Sequence, residues 1–501
     1  MALLVHGGNV LNSRTMAFER VDVLIDADRI TAIGPGLSAP DSAQQLDASG
    51  RLVLPGLINA HTHAHNNLLK GIADNWTLEE MLTHSPALNG GRTVEEQYLS
   101  ATIGAIEMLK TGCTAAYDLF MAIPAPTDDG VEAVVRAYTD VGLRALIAPA
   151  VADLVFYRTV PDLLDILPTA LRRTVESIAA APSQGLLGLM EHAVRRWDGT
   201  ASGRLRLAVA PTIPGQCSDA FLLGCVRLAR QYGVSFHTHL AESKVQAIYG
   251  LRRWGTTLVT HLAEIGALGP TFVGAHGVWL TDDDVRRLAD AGAAVAHNPA
   301  SNLKLGSGIA PVREMVEHGL TVGLGTDGAM SSDNLNMFEA MRFAALVGKV
   351  RFPHHPERWI GAQDVWHLAT HGSARVLGMA DDLGAVAPGR KADLVILQAD
   401  SVFLRPLNHP LNALVYAETG ADVETVLVDG HIVLEHGRVC TVNEADVRAR
   451  AQEAADRLRV ENGAAWELAA QLTPHVVAAC RAAVAAPYPV NRYAATLPEP
   501  A

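Results

Sequence analysis

From about residue 52 to about residue 380, short Val/Ile/Ala/Leu-rich runs alternate with stretches whose apolar residues recur at helical spacing. Strands are expected at 52–60, 112–119, 144–152, 204–212, 234–241, 271–278, 293–298 and 321–326. Helical patterns lie between them at 94–110, 130–141, 219–232, 256–266, 282–291 and 311–318, and two more, 335–349 and 363–377, follow the last strand. Eight strands alternating with helices suggest an α/β chain folded as a (β/α)8 barrel of the TIM type.

The ends of the chain have a different texture. Residues 2–54 read as short strands separated by turns (3–10, 21–25, 29–33), and the same pattern returns at 393–398, 423–428 and 431–434. Strands that flank a barrel on both sides can pair as one unit. The expected organisation is therefore a composite β-sandwich from 1–54 plus 381–442, a barrel over 55–380, and a helical C-terminal extension over 443–501. Two separate β appendages are the alternative. The extension reads as helices at 444–461 and 464–485, followed by a Pro-containing tail expected to be loose.

Composition narrows the class. Hydrophobic residues make up 49% of the 501 positions and charged residues 19%, enough for a large core and too apolar for global disorder. A net charge of -13 argues against a nucleic-acid partner, which requires a basic face. The cysteines Cys113, Cys217, Cys225, Cys440 and Cys480 are scattered, with no Cys-x-x-Cys pair, as in a reduced cytoplasmic protein. The first residues carry no basic leader, and no apolar run reads as long enough to span a bilayer. These features predict a cytoplasmic enzyme with a small-molecule substrate, no nucleic-acid or membrane partner, and room for a homodimer contact.

Barrel chemistry sits at the C-terminal strand ends. Strand 1 runs into His61-Thr62-His63, strand 5 into His237-Thr238-His239-Leu240-Ala241-Glu242, and strand 6 into His276. Strand 7 carries His297-Asn298-Pro299 and strand 8 ends in Gly325-Thr326-Asp327-Gly328. Each has a plain alternative: a strand-end histidine can be merely hydrogen-bonded, and Thr-Asp-Gly is a common turn. Together on one barrel they describe a site. Histidines at i and i+2 on an extended segment point the same way, so His61 and His63 can hold one metal from one side. A catalytic zinc site needs three or four N/O ligands and a position left for water. A strand-5 histidine and Asp327 complete such a set. His239 is preferred to His237 because Glu242 follows it by three residues. His237 lies on the same face, as an outer partner or below the metal. Glu242 is then the proton shuttle, and His276 orients hydroxide or stabilises developing negative charge.

The chain resembles the amidohydrolase superfamily, in particular its mononuclear deaminase/chlorohydrolase branch of cytosine/adenosine-type deaminases and triazine hydrolases. The resemblance spans nearly the whole chain. It is carried by Pro55-Gly56-Leu57-Ile58-Asn59-Ala60-His61-Thr62-His63, His239-Leu240-Ala241-Glu242-Ser243, the run from Ala296 to Gly306, Gly325-Thr326-Asp327-Gly328 and the run from Leu383 to Leu394. It implies a barrel with a composite β-sandwich and one divalent metal per chain, zinc first and iron as the alternative. By the same resemblance His61, His63, His239 and Asp327 are the metal ligands, Glu242, His276 and Asp327 the catalytic groups, and His297 a residue lining the substrate cavity. Binuclear relatives carry a Lys or an acid late in strand 3 or 4. Here those ends read Ala148-Pro149-Ala150-Val151 and Ala210-Pro211-Thr212, so one metal is expected. The Pro-Cys-x-x-Cys signature of cytidine deaminases is also missing.

The stretch 66–82 follows the first strand and should form a long loop over the substrate. Trp76 within it is either an aromatic wall of the pocket or a residue that packs the loop down. Residues 83–89 lack the acid with which purine-nucleoside deaminases hold the sugar. Residues 153–168 read as an enlarged loop that shapes the pocket or serves an oligomer contact. The expected reaction is hydrolysis of a C–N bond, with deamination of an amino-substituted N-heterocycle leading. A chlorohydrolase, or a urea or carbamate hydrolase, is the alternative. A non-enzymatic binding protein would show eroded ligand positions, and none is eroded.

Overall fold

The computed structural model describes residues 2–493. The last residues of the Pro-containing tail, 494–501, lie outside the described part. Eight parallel barrel strands occupy the expected places: Leu57–Thr62, Cys113–Phe120, Arg144–Val151, the pair Leu205–Leu207 and Ala210–Pro211, then Phe236–Leu240, Phe272–His276, Ala294–His297 and Thr321–Leu324. Strands 1–4 and 5–8 form two parallel sheets. Bridges Val209↔Phe236 and Thr62↔Asp327 join them, so the barrel closes where strand 4 meets strand 5 and where strand 8 meets strand 1. Most intervening helices start at a side-chain cap, as at Thr93, whose hydroxyl accepts from Glu96 N–H while the Glu96 carboxylate returns to Thr93 N–H.

The expected first strand is two strands. The run 52–60 breaks at Gly56: Arg51–Pro55 lies in the composite sheet, and only Leu57–Thr62 enters the barrel. A β-carbon at Gly56 would sit 2.0 Å from the Thr114 hydroxyl, so only glycine lets the chain cross here. Apolar periodicity could not register that change of partner. Strand 4 is likewise split, ending at Pro211, which has no N–H for a ladder. The expected loop 153–168 contains two short helices, Phe156–Arg158 and Leu163–Ile166, and the connection after strand 3 continues beyond it through Thr169–Ser177 and Ser183–Trp197.

Both chain ends contribute to one nine-stranded sheet. Its order runs Arg438–Val439, His431–Glu435, Val423–Val428, Leu394–Gln398, Arg51–Pro55, Leu3–Asn12, Ala17–Asp26, Arg29–Gly34, with Gln44–Asp47 beside Leu3–Asn12. Leu394 pairs with Pro55 and Gln398 with Arg51, so residues far apart in sequence share a ladder.

The C-terminal helices grip the first loop. Helix Glu444–Glu461 sets Arg457 on the Glu96 carboxylate, and Asn462 donates to the carbonyls of Ala87 (2.9 Å) and Gly90 (3.0 Å). Helix Gly463–Ala485 lies against helix Leu78–Asn89, and its Leu472 and Val476 are buried in a cluster with Tyr157, Leu163 and Val245. It is also long and apolar enough to cross a membrane, by length and composition, contrary to the sequence expectation. Its apolarity reflects the alanines of a helix packed along one face.

Candidate metal centre

His61 and His63 end the first strand with ring centroids 4.8 Å apart. Across the barrel, His239 brings its Nε2 to 3.1 Å from the Nε2 of His63. Asp327 approaches from beyond strand 8: its Oδ1 lies 3.1 Å from His63 Nε2 and 3.4 Å from His61 Nε2. The approach of strand 8 needs Gly325, since a β-carbon there would meet the His61 carbonyl at 2.8 Å and the Asn298 side chain at 2.3 Å. Asp327 and His276 both hold positive φ (62° and 70°), turning the chain sharply as each strand ends.

Hydrogen bonds fix which ring nitrogens face inward. His63 Nδ1 lies 2.8 Å from the Leu119 carbonyl and His239 Nδ1 lies 2.6 Å from the Thr212 carbonyl. A carbonyl accepts only, so each Nδ1 carries the proton and each Nε2 keeps its lone pair for the centre. Asp327 Oδ2 accepts from Ser301 Oγ (2.6 Å) and Ser331 Oγ (2.7 Å), which leaves Oδ1 pointing inward. His61 is fully buried, and among the described residues neither of its ring nitrogens has a hydrogen-bond partner.

The donor set fits a metal ion. Ligands about 2.05 Å from a tetrahedral ion lie about 3.3 Å from one another. The separations of 3.1, 3.1 and 3.4 Å match that spacing. Histidines and carboxylates that converge in this way can hold a divalent ion. His276 also falls within reach of His61 and Asp327, so it borders the same point.

Burial sets the charges. It drives the His61 imidazole down to about 3 and holds His239 well below the ordinary histidine range, so both stay neutral. Burial also opposes protonation of His63, but the hydrogen bond and charge of Asp327, with the Leu119 carbonyl and Asp118, together outweigh it and raise it. Burial would raise Asp327, yet the contacts with His61 and His63 hold its carboxyl well below the usual carboxylate range. Glu242 goes the other way: burial, reinforced by Asp327 and Glu79, pushes it well above. Its Oε1 lies 3.7 Å from His276 Nε2, too long for a hydrogen bond. His276 is lowered by burial and directs Nδ1 at Asn302 Oδ1, 2.9 Å away.

A cavity of about 570 Å³ opens on these groups, lined by His63, His239, Glu242, His276 and Asp327 with Asn66, Ser85 and Asn89. Two expected substrate residues do not line it. Trp76 stacks on His84 with centroids 4.3 Å apart and lies 6.4 Å from Trp466, so it packs the loop down. Its partner comes from the C-terminal extension, which local sequence could not show. His297 is buried beside Ile309, Ala344 and Arg351 in a separate hollow. The two-residue strand period carries it to the side of Val295, which packs in one cluster with Val312 and Ala344. His237 lies beneath His61, centroids 5.0 Å apart, with the edge of Tyr117 against it.

Sequence reasoning missed the groups that hold the ligands. Asn302 and Ser301 sit inside the motif run after His297, a signal that went unread, whereas nothing in sequence marks Ser331. Asp118 was also missed. It accepts from Ala64 N–H (2.8 Å) and Tyr138 Oη (3.0 Å), tethering the residue after His63, and burial raises it to about 6.

The profile of the family described as "Amidohydrolase family" matches residues 52–433. A 5-methylthioadenosine/S-adenosylhomocysteine deaminase of Symbiobacterium thermophilum is 37% identical, over 91% of this chain and 99% of its own length. Among solved structures, an atrazine chlorohydrolase of Arthrobacter aurescens TC1, complexed with zinc, superposes with a TM-score of 0.82 at 26% identity, over 90% of this chain and 100% of that one. An adenosine deaminase of Xanthomonas campestris with bound zinc gives 0.80 at 25% identity, over 91% and 98%.

Proposed function

The chain belongs to the amidohydrolase family, and from that premise we propose that it is a metal-dependent deaminase. Its substrate is an amino-substituted N-heterocycle, with adenine-type rings leading, and ammonia is released. The observation that carries this reading is the convergence of four inward donor atoms, on His61, His63, His239 and Asp327, at one end of a cavity that also holds Glu242 and His276.

Those four residues would hold one divalent metal, zinc first and iron next. When bound, it supplies a Lewis acid that makes water nucleophilic at neutral pH. The protein's own groups do the rest. Glu242, on the cavity wall with its Oε1 3.7 Å from His276 Nε2, receives a proton from the attacking water. It passes that proton to the ring nitrogen next to the amino-bearing carbon as the C–O bond forms. The amino group then leaves as ammonia after taking the second proton of the water, and a ring carbonyl remains. His276 has its Nδ1 proton committed to Asn302, so its Nε2 lone pair accepts from the attacking water and aims it. That geometry favours an orienting role over one of stabilising negative charge.

A chlorohydrolase is the second reading. It is supported by the likeness to the atrazine enzyme and by helix Leu78–Asn89, whose contribution to the cavity includes Ser85 and Asn89 but no acid that could hold a sugar. The deciding experiment loads apo-protein with zinc or iron and screens aminopurine nucleosides, aminopyrimidines, pterins, chlorotriazines and aryl ureas. Ammonia, chloride and amine are read separately. Ammonia from an aminated ring, faster than any chloride or amine release, is expected. Chloride or amine release without ammonia from any ring would overturn the deaminase.

A further inference from the structure

Beside the catalytic cavity lies a larger hollow of about 990 Å³. The two share Leu82, Ser85, Met121, Ala150 and Thr212, so the metal-side cavity leads into the hollow across the ends of strands 2–4. Its walls are Ile123 and Pro124 after strand 2, Val155 and Phe156 after strand 3, and Ile178 and Leu186 farther along that connection. Among the described residues no charged side chain lines it, and its polar groups are few, with Gln216 and Thr212 at the inner end.

The wall is pre-formed. Asp153, the acid at the start of the strand-3 connection, is used to pin it. One carboxylate oxygen accepts from Ser183 Oγ (2.9 Å) and Ser218 Oγ (2.6 Å), and the other accepts from Ser218 N–H (2.8 Å). Ile178 stays 38% exposed at the rim.

We infer that this hollow is a specificity subsite for an uncharged apolar arm carried by the substrate ring. The inference rests on the deaminase reading for the reacting ring, but not for the arm. Burying each methylene of such an arm should strengthen binding roughly fourfold. An ionised arm would be stripped of water with no counter-charge available, and is rejected. The chain should therefore discriminate against rings whose arm ends in a carboxylate or a zwitterionic amino acid.

The test uses the full-length metal-loaded protein and purines alkylated at N9 with methyl, ethyl, propyl, butyl and 3-carboxypropyl arms. One series carries the 6-amino group and is scored by ammonia release. A second lacks it and is scored by equilibrium binding. The expected result is a rise in kcat/KM and in affinity of roughly fourfold per methylene. The carboxylate arm should fall roughly tenfold or more below butyl. In Ile178→Asp and in Val155→Asp the butyl-to-methyl ratio should collapse toward one. Ammonia release that ignores arm length, or that favours the carboxylate, overturns the subsite and leaves the deaminase standing. Arm-dependent binding with no ammonia from any 6-aminopurine leaves the subsite standing and counts against the deaminase. A butyl preference unchanged in both variants places the arm elsewhere and overturns the inference.

Discussion

At the N-terminal end of the third barrel strand, Arg144 sets Nε and Nη2 on the two oxygens of Asp393 (3.0 Å each) and Nη2 on Asp429 at 2.5 Å, with Lys391 Nζ 3.3 Å from Asp429. At the opposite, C-terminal ends of the strands, His61, His63, His239 and Asp327 are also buried, yet among the described residues no lysine or arginine lines the cavity there. The first cluster brings opposite charges together and joins barrel to composite sheet. The second brings lone pairs together, an arrangement that suits an added cation. Both are buried and polar; what separates a joint from a reaction centre is whether the partners are already present.

The sharpest way to break this contrast is to remove a ligand. His63→Ala or Asp327→Ala should abolish activity and reduce bound metal from about one equivalent to near none, read by elemental analysis. The metal-free variants should still fold, because the groups removed are not paired with any fixed cation. Two tightly held equivalents in the unmodified protein would refute the single-metal arrangement. Next in size is Glu242→Gln, which should keep the metal and lose about 10²- to 10⁴-fold in kcat. Near-normal turnover would move the proton transfer to another group.

Arg144→Met tests the other cluster. It leaves the buried Asp393 carboxylate without its cation while Asp429 keeps Lys391, and loss of a buried partner costs about 3–5 kcal/mol, measurable by denaturant unfolding. Metal content and activity per folded molecule should be unchanged. Smaller again is Ser331→Ala, which removes one of two hydroxyls on Asp327 Oδ2. Such outer contacts are worth about 10- to 100-fold in metal affinity, and the double change with Ser301→Ala should exceed either alone.

The sequence pointed to most of the residues that converge here because they lie on strand ends, where period-two alternation and order along the chain suffice. His61, His63, His239, Glu242 and Asp327 were legible for that reason. His297 and Trp76 were misplaced because the first depends on which side the strand's last residue faces, and the second on a helix from the far end of the chain. The break at Gly56 was hidden because apolar strands read alike whichever sheet they join. The apolar hollow was legible only in part: the loop 153–168, one reading of which was to shape the pocket, supplies Val155 and Phe156, but the other wall segments, spread between residues 82 and 216, meet only in the fold.

The last contrast is in acid response. His61 has its folded-state pKa depressed to about 3 by burial, and His297, away from the centre, is likewise held at about 3. An unfolded histidine titrates near 6.5, so between pH 6.5 and 3 the unfolded chain binds protons that the folded chain refuses. Stability is therefore full above pH 6.5 and falls as the pH drops through that window, by about 1.4 kcal/mol per pH unit for each such histidine. Arg144 behaves differently: burial would lower its pKa, but Asp393 and then Asp429 raise it, so it stays charged throughout. Metal-stripped His297→Asn should show a shallower loss than the unmodified protein between pH 6.5 and 4, read by denaturant unfolding at each pH. Arg144→Met should lower the curve most near neutral pH and less towards pH 4, because a buried carboxylate without its cation takes up a proton as the pH falls. Equal slopes in the unmodified protein and His297→Asn would mean that His297 takes up its proton without unfolding, and that this buried imidazole is less sealed than its surroundings indicate.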